Sequence, residues 1–481
     1  MLQKNEIYDA EITGMTSEGS GVARIDGMAV FVPMTAVGDK LRVKIVKVLK
    51  SYAFGIIDEL TSPAPSRCEV DCPVFRQCGG CVFRHVNYEE ELRYKEDSVR
   101  DAFTRIGRLS PEFEPILGDE RRCGYRNKAQ YPVAMLDGKL VCGFYARHSH
   151  RVIPFTGCLL QPQIFTEILE FLLPLLQKAG ISAYDEQTHT GLLRHIYLRQ
   201  GFHSGEISLC FVVRKSIRRQ IAGILPAIQE RFPALVSITE SINSEKTNVI
   251  MGKTLHVLAG SDVISDTMCG NKIEISPQSF YQVNTAQAEH LYGIAKEYAQ
   301  LQGGELLLDL YCGAGTIGLS MADRAEKLIG AEVIPEAVEN AKKNAARNGV
   351  ENAEFLCGDA GEIAKQLLEK GTTPDVVVVD PPRKGCDMNA INAISQMNPR
   401  RIVMISCNPS TAARDAAEFA ARGYTVEKVR AVDLFPGTGH VECVVLMSRP
   451  ATEWEKYGDY FMKRTVADVM EEYGEQRDEW R

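Results

Sequence analysis

The rhythm of apolar and polar positions changes three times along the chain. Over residues 1–61, the segments NEIYDAEIT, GVARID, MAVFVP and KLRVKIVKVL alternate in polarity or are rich in β-branched residues, which predicts strands. Gly19, Gly21 and the hairpin pair Asp26-Gly27 punctuate them. About five short strands in so few residues predict a small closed barrel, because closure removes exposed edges. In KLRVKIVKVLK, Lys40, Arg42 and Lys44 alternate and so share one face. That face is either simply solvated or an electrostatic track for phosphates.

Residues 62–279 open with Pro63 and Pro65 and carry a cysteine cluster. A helix is expected over 88–106, opened by Asn87, and another over Gln163–Lys178. Strands are expected over 128–133, 195–199 and 206–213, so this is a mixed region. Over 280–449 the runs LLLDLYC, KLIGAEV, AEFLCGD, PDVVVVD and RIVMISC alternate with helical stretches such as PEAVENAKKNAARNG. Strands and helices at this spacing predict an α/β fold, a mostly parallel sheet covered on both faces. VEKVRAVDLF and VECVVLMSR have no helix between them and predict a closing antiparallel hairpin. Residues 450–481 form an acidic extension with nine acidic and five basic residues and both tryptophans. Its apolar positions Tyr460, Phe461, Val466, Val469, Met470 and Tyr473 are heptad-like and suggest a helix packed on the body.

In an open parallel sheet, ligands bind beyond the carboxyl ends of the strands. The first strand ends in Asp309-Leu-Tyr-Cys-Gly-Ala-Gly-Thr316, a glycine-rich turn. The next ends at Glu332, an acid suited to ribose hydroxyls. The third ends at Asp359, where a polar group can meet an adenine edge, and the fourth in Asp380-Pro-Pro-Arg383. Any one of these acids alone is as readily a helix cap. The spacing of Gly313, Gly315 and Gly318 does not fit the dinucleotide fingerprint, which speaks against a NAD dehydrogenase. The set resembles the class I methyltransferases, and the resemblance implies S-adenosylmethionine.

The fifth strand ends at Cys407, and Asn408-Pro409 then opens a helix as cap and first residue. The nearby helix terminus is expected to favour the thiolate. The plain alternative is a buried structural cysteine. A thiol suits methylation of an unactivated carbon: addition at carbon 6 of a pyrimidine makes carbon 5 nucleophilic. A base must then remove the carbon 5 proton. Glu442 opens an otherwise apolar last strand, where a carboxylate is costly without a task. Its alternative role is as a partner for Arg383 or Arg414.

DLYCGAGTIGL, DPPRKG, ISCNPST and GHVEC together resemble the RNA (uracil-5-)-methyltransferase family, from the first barrel to about residue 449. The resemblance implies Cys407 as nucleophile and Glu442 as base. It implies Gln282, Tyr311, Glu332, Asp359 and Asp380 as cofactor positions, with Thr316 ranked lower. It also implies that residues 1–61 are a TRAM domain, an RNA-binding module built like an OB fold.

Cys72, Cys78 and Cys81 have the compact spacing of a metal site, and four thiolates would suit zinc or an iron–sulfur cluster. The paired spacing usual for zinc is absent. The rRNA-modifying branch of the family carries this triplet, a distant cysteine and a [4Fe–4S] cluster, and Cys158 matches the distant position. Cys68 is a rival ligand. Arg121, Arg122, Arg126 and Lys128 form a basic run with Tyr125 available to stack, and Arg147, His148, His150 and Arg151 form another. Barrel and triplet favour large-subunit (23S) rRNA. Transfer RNA, or a non-catalytic RNA-binding or assembly role, are the alternatives.

Composition adds little. The net charge of −8 argues mildly against indiscriminate RNA binding, and the acidic extension contributes half of it. The opening MLQKNEIYDAE lacks a secretory build, and no run reaches the roughly 18 apolar residues of a membrane helix. A cytoplasmic protein without a membrane partner is expected, in which 14 dispersed cysteines are thiols rather than a disulfide scaffold.

Overall fold

The N-terminal alternation folds as five strands: β1 (Ile7–Met15), β2 (Ser20–Ile25), β3 (Met28–Pro33), β4 (Lys40–Val48) and β5 (Tyr52–Ser62). They close into a barrel in the order β1-β2-β3-β5-β4. Leu41, Val43 and Ile45 point into it, while Lys40 and Arg42 face outward on the same strand. Asp26 and Gly27 turn the β2–β3 hairpin with φ of +49° and +78°. The structure is a computed structural model describing residues 2–450, so the acidic extension and its expected helix lie outside the described residues.

Asn87 caps the helix Tyr88–Asp101 by accepting from the Glu90 amide at 2.9 Å, and a π-helical turn extends it through Ala102–Ile106. Next, β6 (Glu112–Leu117) leaves for the far edge of the C-terminal sheet.

The middle of the chain builds a seven-stranded sheet. Its strands are β7 (Lys128–Leu136), β8 (Lys139–Tyr145), β9 (Val152–Pro154), β10 (Leu193–Gln200), β11 (Ile207–Val213), β12 (Leu235–Ile242) and β13 (Thr254–Gly260). The order is β13-β12-β11-β10-β7-β8-β9. Ile196, Leu198, Leu209 and Phe211 form one core with the apolar side of the helix Gln163–Lys178. The alternating residues His195, Tyr197 and Arg199 belong to the opposite face, and they too are buried. A hairpin, β14 (Ile264–Met268) and β15 (Asn271–Ile275), leads on.

The C-terminal sheet contains β16 (Leu306–Leu310), β17 (Lys327–Glu332), β18 (Ala353–Cys357), β19 (Val376–Val379), β20 (Arg401–Ser406), β21 (Thr425–Val432) and β22 (Glu442–Ser448). Its order is β18-β17-β16-β19-β20-β22-β21-β6. The first five strands are parallel, and the inner four, β17, β16, β19 and β20, are largely buried on both faces, as their apolar runs require. The last strand, β22, inserts antiparallel between β20 and β21. No helix among the described residues is long and apolar enough to cross a membrane.

Candidate active site

The parallel strands end on one side of the sheet, above a cleft of about 2000 Å³. After β16 the chain turns through Tyr311, whose φ of +65° is strained for a bulky residue. Gly315 follows at φ +79°, where a Cβ would also meet the Phe355 ring at 3.1 Å. Glu332 ends β17 and accepts from the amides of Gly313 and Ile334 at 3.1 and 2.9 Å, so it braces the glycine turn. Asp359 is a helix cap, accepting from Gly361 and Glu362, and lines the cleft as well. Asp380 lies deep on the same rim, its carboxyl pushed up to about 7 by burial. Gln282 comes from the loop before the helix Thr285–Ala299. With Tyr311, Glu332, Asp359 and Asp380 it lines the cleft. Thr316 does not; its hydroxyl lies against Tyr292. A cation-tolerant rim of carboxylates beside a glycine turn fits the sulfonium and ribose of S-adenosylmethionine.

The register of β20 and β22 brings together two residues that are 35 positions apart in the chain. Ser406 pairs with Cys443, so Cys407, one residue on, comes opposite Glu442, one residue back. Both line the cleft. Asn408 caps the helix Pro409–Ala420 through the Ser410 amide, and its Nδ2 donates to the Arg383 carbonyl at 3.1 Å. The thiol turn is thereby tied to the Asp380-Pro-Pro-Arg383 turn. Glu442 is 5% exposed. Burial, then Asp380, push its carboxyl up to about 8, and Arg383 opposes them.

The expected thiolate bias at Cys407 is corrected here. Its pKa is raised, because burial and the carboxylates of Glu442 and Asp380 outweigh Arg383. Of the alternative partners for Glu442, Arg383 is a neighbour, whereas Arg414 pairs with Asp415.

The loop from Asp433 to Val441 carries Glu442 into place and is held nearly atom by atom. Lys95 Nζ, buried, donates to Asp433 at 2.7 Å, to Glu91 at 2.6 Å and to the Phe435 carbonyl at 3.2 Å. Asn284 Nδ2 donates to the Leu434 carbonyl, and the Tyr125 hydroxyl to the Pro436 carbonyl at 2.9 Å. The Gly437 carbonyl accepts from the amides of Val82 and Phe83 at 2.8 and 3.1 Å. Tyr125 is therefore not the stacking residue the sequence suggested: it is buried and clamps this loop.

Cys72, Cys78, Cys81 and Cys158 gather at one part of the cleft wall. Burial raises the pKa of Cys78, Cys81 and Cys158, and these thiols further raise one another. Cys68 responds instead to Asp71, Arg122 and Arg84 and does not line the cleft. Among the described residues, no three Cys, His, Asp or Glu side chains converge as ligands of a single ion. Cysteine thiolates are the donors that iron–sulfur clusters use.

The basic runs divide. Arg126 and Lys128 line the cleft, whereas Arg121 stacks on Phe202 and Arg122 on Tyr88. Arg147 donates to the Cys81 carbonyl, and His150 pairs with Glu186, while His148 and Arg151 are exposed. Two cleft residues, and a buried one behind the cleft wall, escaped the sequence reading. Phe280 is 78% exposed at the cleft. His440 lies two residues before Glu442 and is kept below its ordinary pKa by burial and by Arg383 and Arg126. Buried Arg199, on the central sheet's polar face, pairs across the ladder with Lys128, which lines the cleft. Only His440 had a signal, its place in GHVEC.

The chain matches the family model described as tRNA (Uracil-5-)-methyltransferase over residues 243–450 and the TRAM domain model over residues 2–57. An uncharacterized RNA methyltransferase of Bacillus cereus is 43% identical, covering 93% of this chain and 98% of the relative. Another, of Clostridium tetani, is 41% identical over 93% of this chain and 97% of its own length. Among solved structures, Pyrococcus abyssi tRNA (uracil-54, C5)-methyltransferase in complex with S-adenosyl-L-homocysteine is similar, with a TM-score of 0.74 and 26% identity. It covers 92% of this chain and 100% of its own.

Proposed function

We propose that this chain, which belongs to the RNA (uracil-5-)-methyltransferase family and methylates RNA from S-adenosylmethionine, forms 5-methyluridine in large-subunit (23S) rRNA through a covalent adduct on Cys407. The observation that carries the reading is the opposition of Cys407 and Glu442 at adjacent strand ends in the cofactor cleft. S-adenosylmethionine supplies an electrophilic methyl group, held by Gln282, Tyr311, Glu332, Asp359 and Asp380, with Thr316 behind them. The Cys407 thiolate adds to carbon 6 of the uracil, which leaves carbon 5 as the nucleophile for that methyl. Glu442 then takes the carbon 5 proton, and elimination frees the thiol. The uridine must be unpaired or flipped to expose both carbons. Phe280, an exposed aromatic at the cleft, is placed to stack on an unpaired base.

The proposal includes a [4Fe–4S] cluster held by Cys72, Cys78, Cys81 and Cys158, which would supply a cross-link between distant parts of the chain. It also treats residues 1–61, 62–279 and 280–449 as RNA-binding, cluster-bearing and catalytic units. Ribosomal RNA is favoured by the combination of barrel and cysteine cluster. A transfer-RNA substrate is the second reading, and one observation favours it. The tRNA enzyme of Pyrococcus abyssi covers 92% of this chain, more than the methyltransferase region alone, so the barrel's presence does not by itself select ribosomal RNA.

The test incubates anaerobically purified protein and S-adenosylmethionine with unmodified ribosomal and transfer RNA, and quantifies 5-methyluridine by nucleoside mass spectrometry. Signal in large-subunit rRNA is expected; signal in transfer RNA alone would establish the second reading. Cys407→Ala should lower turnover by at least about a thousandfold while RNA still binds. Methylation surviving in that variant would end the covalent mechanism.

A further inference from the structure

The polar face of the central sheet carries a charge that the mechanism does not use. Arg199 in β10 is 1% exposed. Its Nη1 donates to the Ser279 carbonyl at 3.0 Å and its guanidinium lies 5.6 Å from the Tyr197 ring. Its Nε and Nη2 have no hydrogen-bond partner among the described residues. A buried charged donor left unpaired is costly.

A second cation sits directly across the ladder. Arg199 pairs with Lys128 in the antiparallel register of β10 and β7, so both side chains belong to one face. Like charges opposite each other destabilise a sheet. Arg126 lies two residues before Lys128, and burial together with Arg199 and Arg126 holds the Lys128 ammonium down to about 8. Among the described residues, no carboxylate forms an ion pair with any of the three. On the same face the hydroxyl of Tyr197 and Nδ1 of His195 are also unpartnered. Arg126 and Lys128 line the cleft that holds Cys407, as does Ser279, to which Arg199 donates, so two of the three cations open onto the substrate's path and the third adjoins it.

We propose that Arg126, Lys128 and Arg199 form an anion subsite that takes a backbone phosphate of the RNA strand in the cleft; this rests on the RNA reading above. The free edge of the Arg199 fork suits the paired oxygens of a phosphodiester, and Lys128 adds a point charge. The site lies beside the Ser279–Gln282 segment, so the same loop that contributes Gln282 to the cofactor would meet the RNA strand.

Two variants of the full-length protein test it, Lys128→Gln, which is only half-buried, and Arg199→Gln. Each should weaken RNA binding about tenfold and lower the slope of log affinity against log salt by about one. Affinity for S-adenosylmethionine should not change. Inorganic phosphate should raise the melting temperature of the parent protein and not that of Lys128→Gln. An unchanged slope in folded Lys128→Gln overturns the proposal. If phosphate still stabilises the parent in that case, the group is a site for free anions and not for RNA. Lost affinity for S-adenosylmethionine would reassign it to the methionine carboxylate and overturn it too. If the parent binds no RNA, the RNA reading itself fails, and the phosphate arm alone then upholds or rejects the anion site.

Discussion

At the scale of single residues, burial favours the protonated form of Glu442, the proposed base. Glu442 titrates near 8 because it is buried beside Asp380, and Arg383 only partly offsets this. The ionised base therefore grows with pH through that range. Since kcat/KM reports groups of the free enzyme, its acidic limb should lie near pH 8 rather than in the ordinary carboxylate range. Initial rates on unmodified RNA across pH 5–9.5 check this; a limb near pH 5 would reject Glu442 as the titrating base. Stability moves the other way. Glu442 near 8, and Asp309 and Asp380 near 7, have folded pKa values above their unfolded ones. Their contribution is full below about pH 4 and is lost as pH rises through 7 and 8. The cofactor-free protein should melt progressively lower over that window, and Glu442→Gln should flatten the upper part of the fall. The sequence marked Cys407 and Glu442 as candidates, because a thiol and an acid interrupt apolar strands. It did not show the raised thiol, because Asp380 and Glu442 approach Cys407 only through the sheet register.

Among the elements, strand ends were legible and connections were not. Each apolar run of the C-terminal sheet announced its strand, and the acid after it announced the rim. By contrast β6 reads EFEPIL, with a proline and two glutamates, and its place is set by pairing with β21, including the Lys428–Glu114 ion pair at 2.8 Å. Tyr125, within a run of four basic residues, looked like an RNA contact and is instead part of the clamp on the loop before Glu442. That clamp centres on Lys95, whose partners lie one helical turn and more than 300 residues away. Lys95→Met would leave Glu91 and Asp433 buried without their cation. A loss of about 3–5 kcal/mol is expected. Because the loop positions Glu442, the proposed base, kcat should fall about 10- to 100-fold while KM for S-adenosylmethionine stays near the parent value. Thermal melts and steady-state rates measure both. A variant that melts lower yet turns over normally would show that the loop finds its position without Lys95.

Over the whole molecule, the sequence suggested a string of units, while the structure shows the barrel fastened to the body. Asp39, fully buried in the β3–β4 loop, accepts from the amides of Ala36 and Ala64 and from Arg67 Nε and Nη2, both at 2.7 Å. Burial alone would raise its pKa, but Arg67 and the two amides outweigh that and lower it. The Val37 amide donates to Tyr94, and His85 reaches the Thr35 carbonyl at 3.0 Å. These partners are ordinary residues whose meeting depends on the barrel's closure, so no local pattern foretold them. Pro63 and Pro65 marked only where the central region opens. A barrel fastened in this way sits at a fixed distance from the cleft, which a tethered barrel would not. Arg67→Met should therefore uncouple the two. It leaves Asp39 buried and unpaired, at a cost of about 3–5 kcal/mol concentrated where the barrel meets the body. RNA affinity should fall, affinity for S-adenosylmethionine should hold, and limited proteolysis should begin to cut near residues 62–66. If Arg67→Met resists the protease and binds RNA as the parent does, the remaining contacts suffice to hold the barrel, and its rigid placement does not depend on this buried pair.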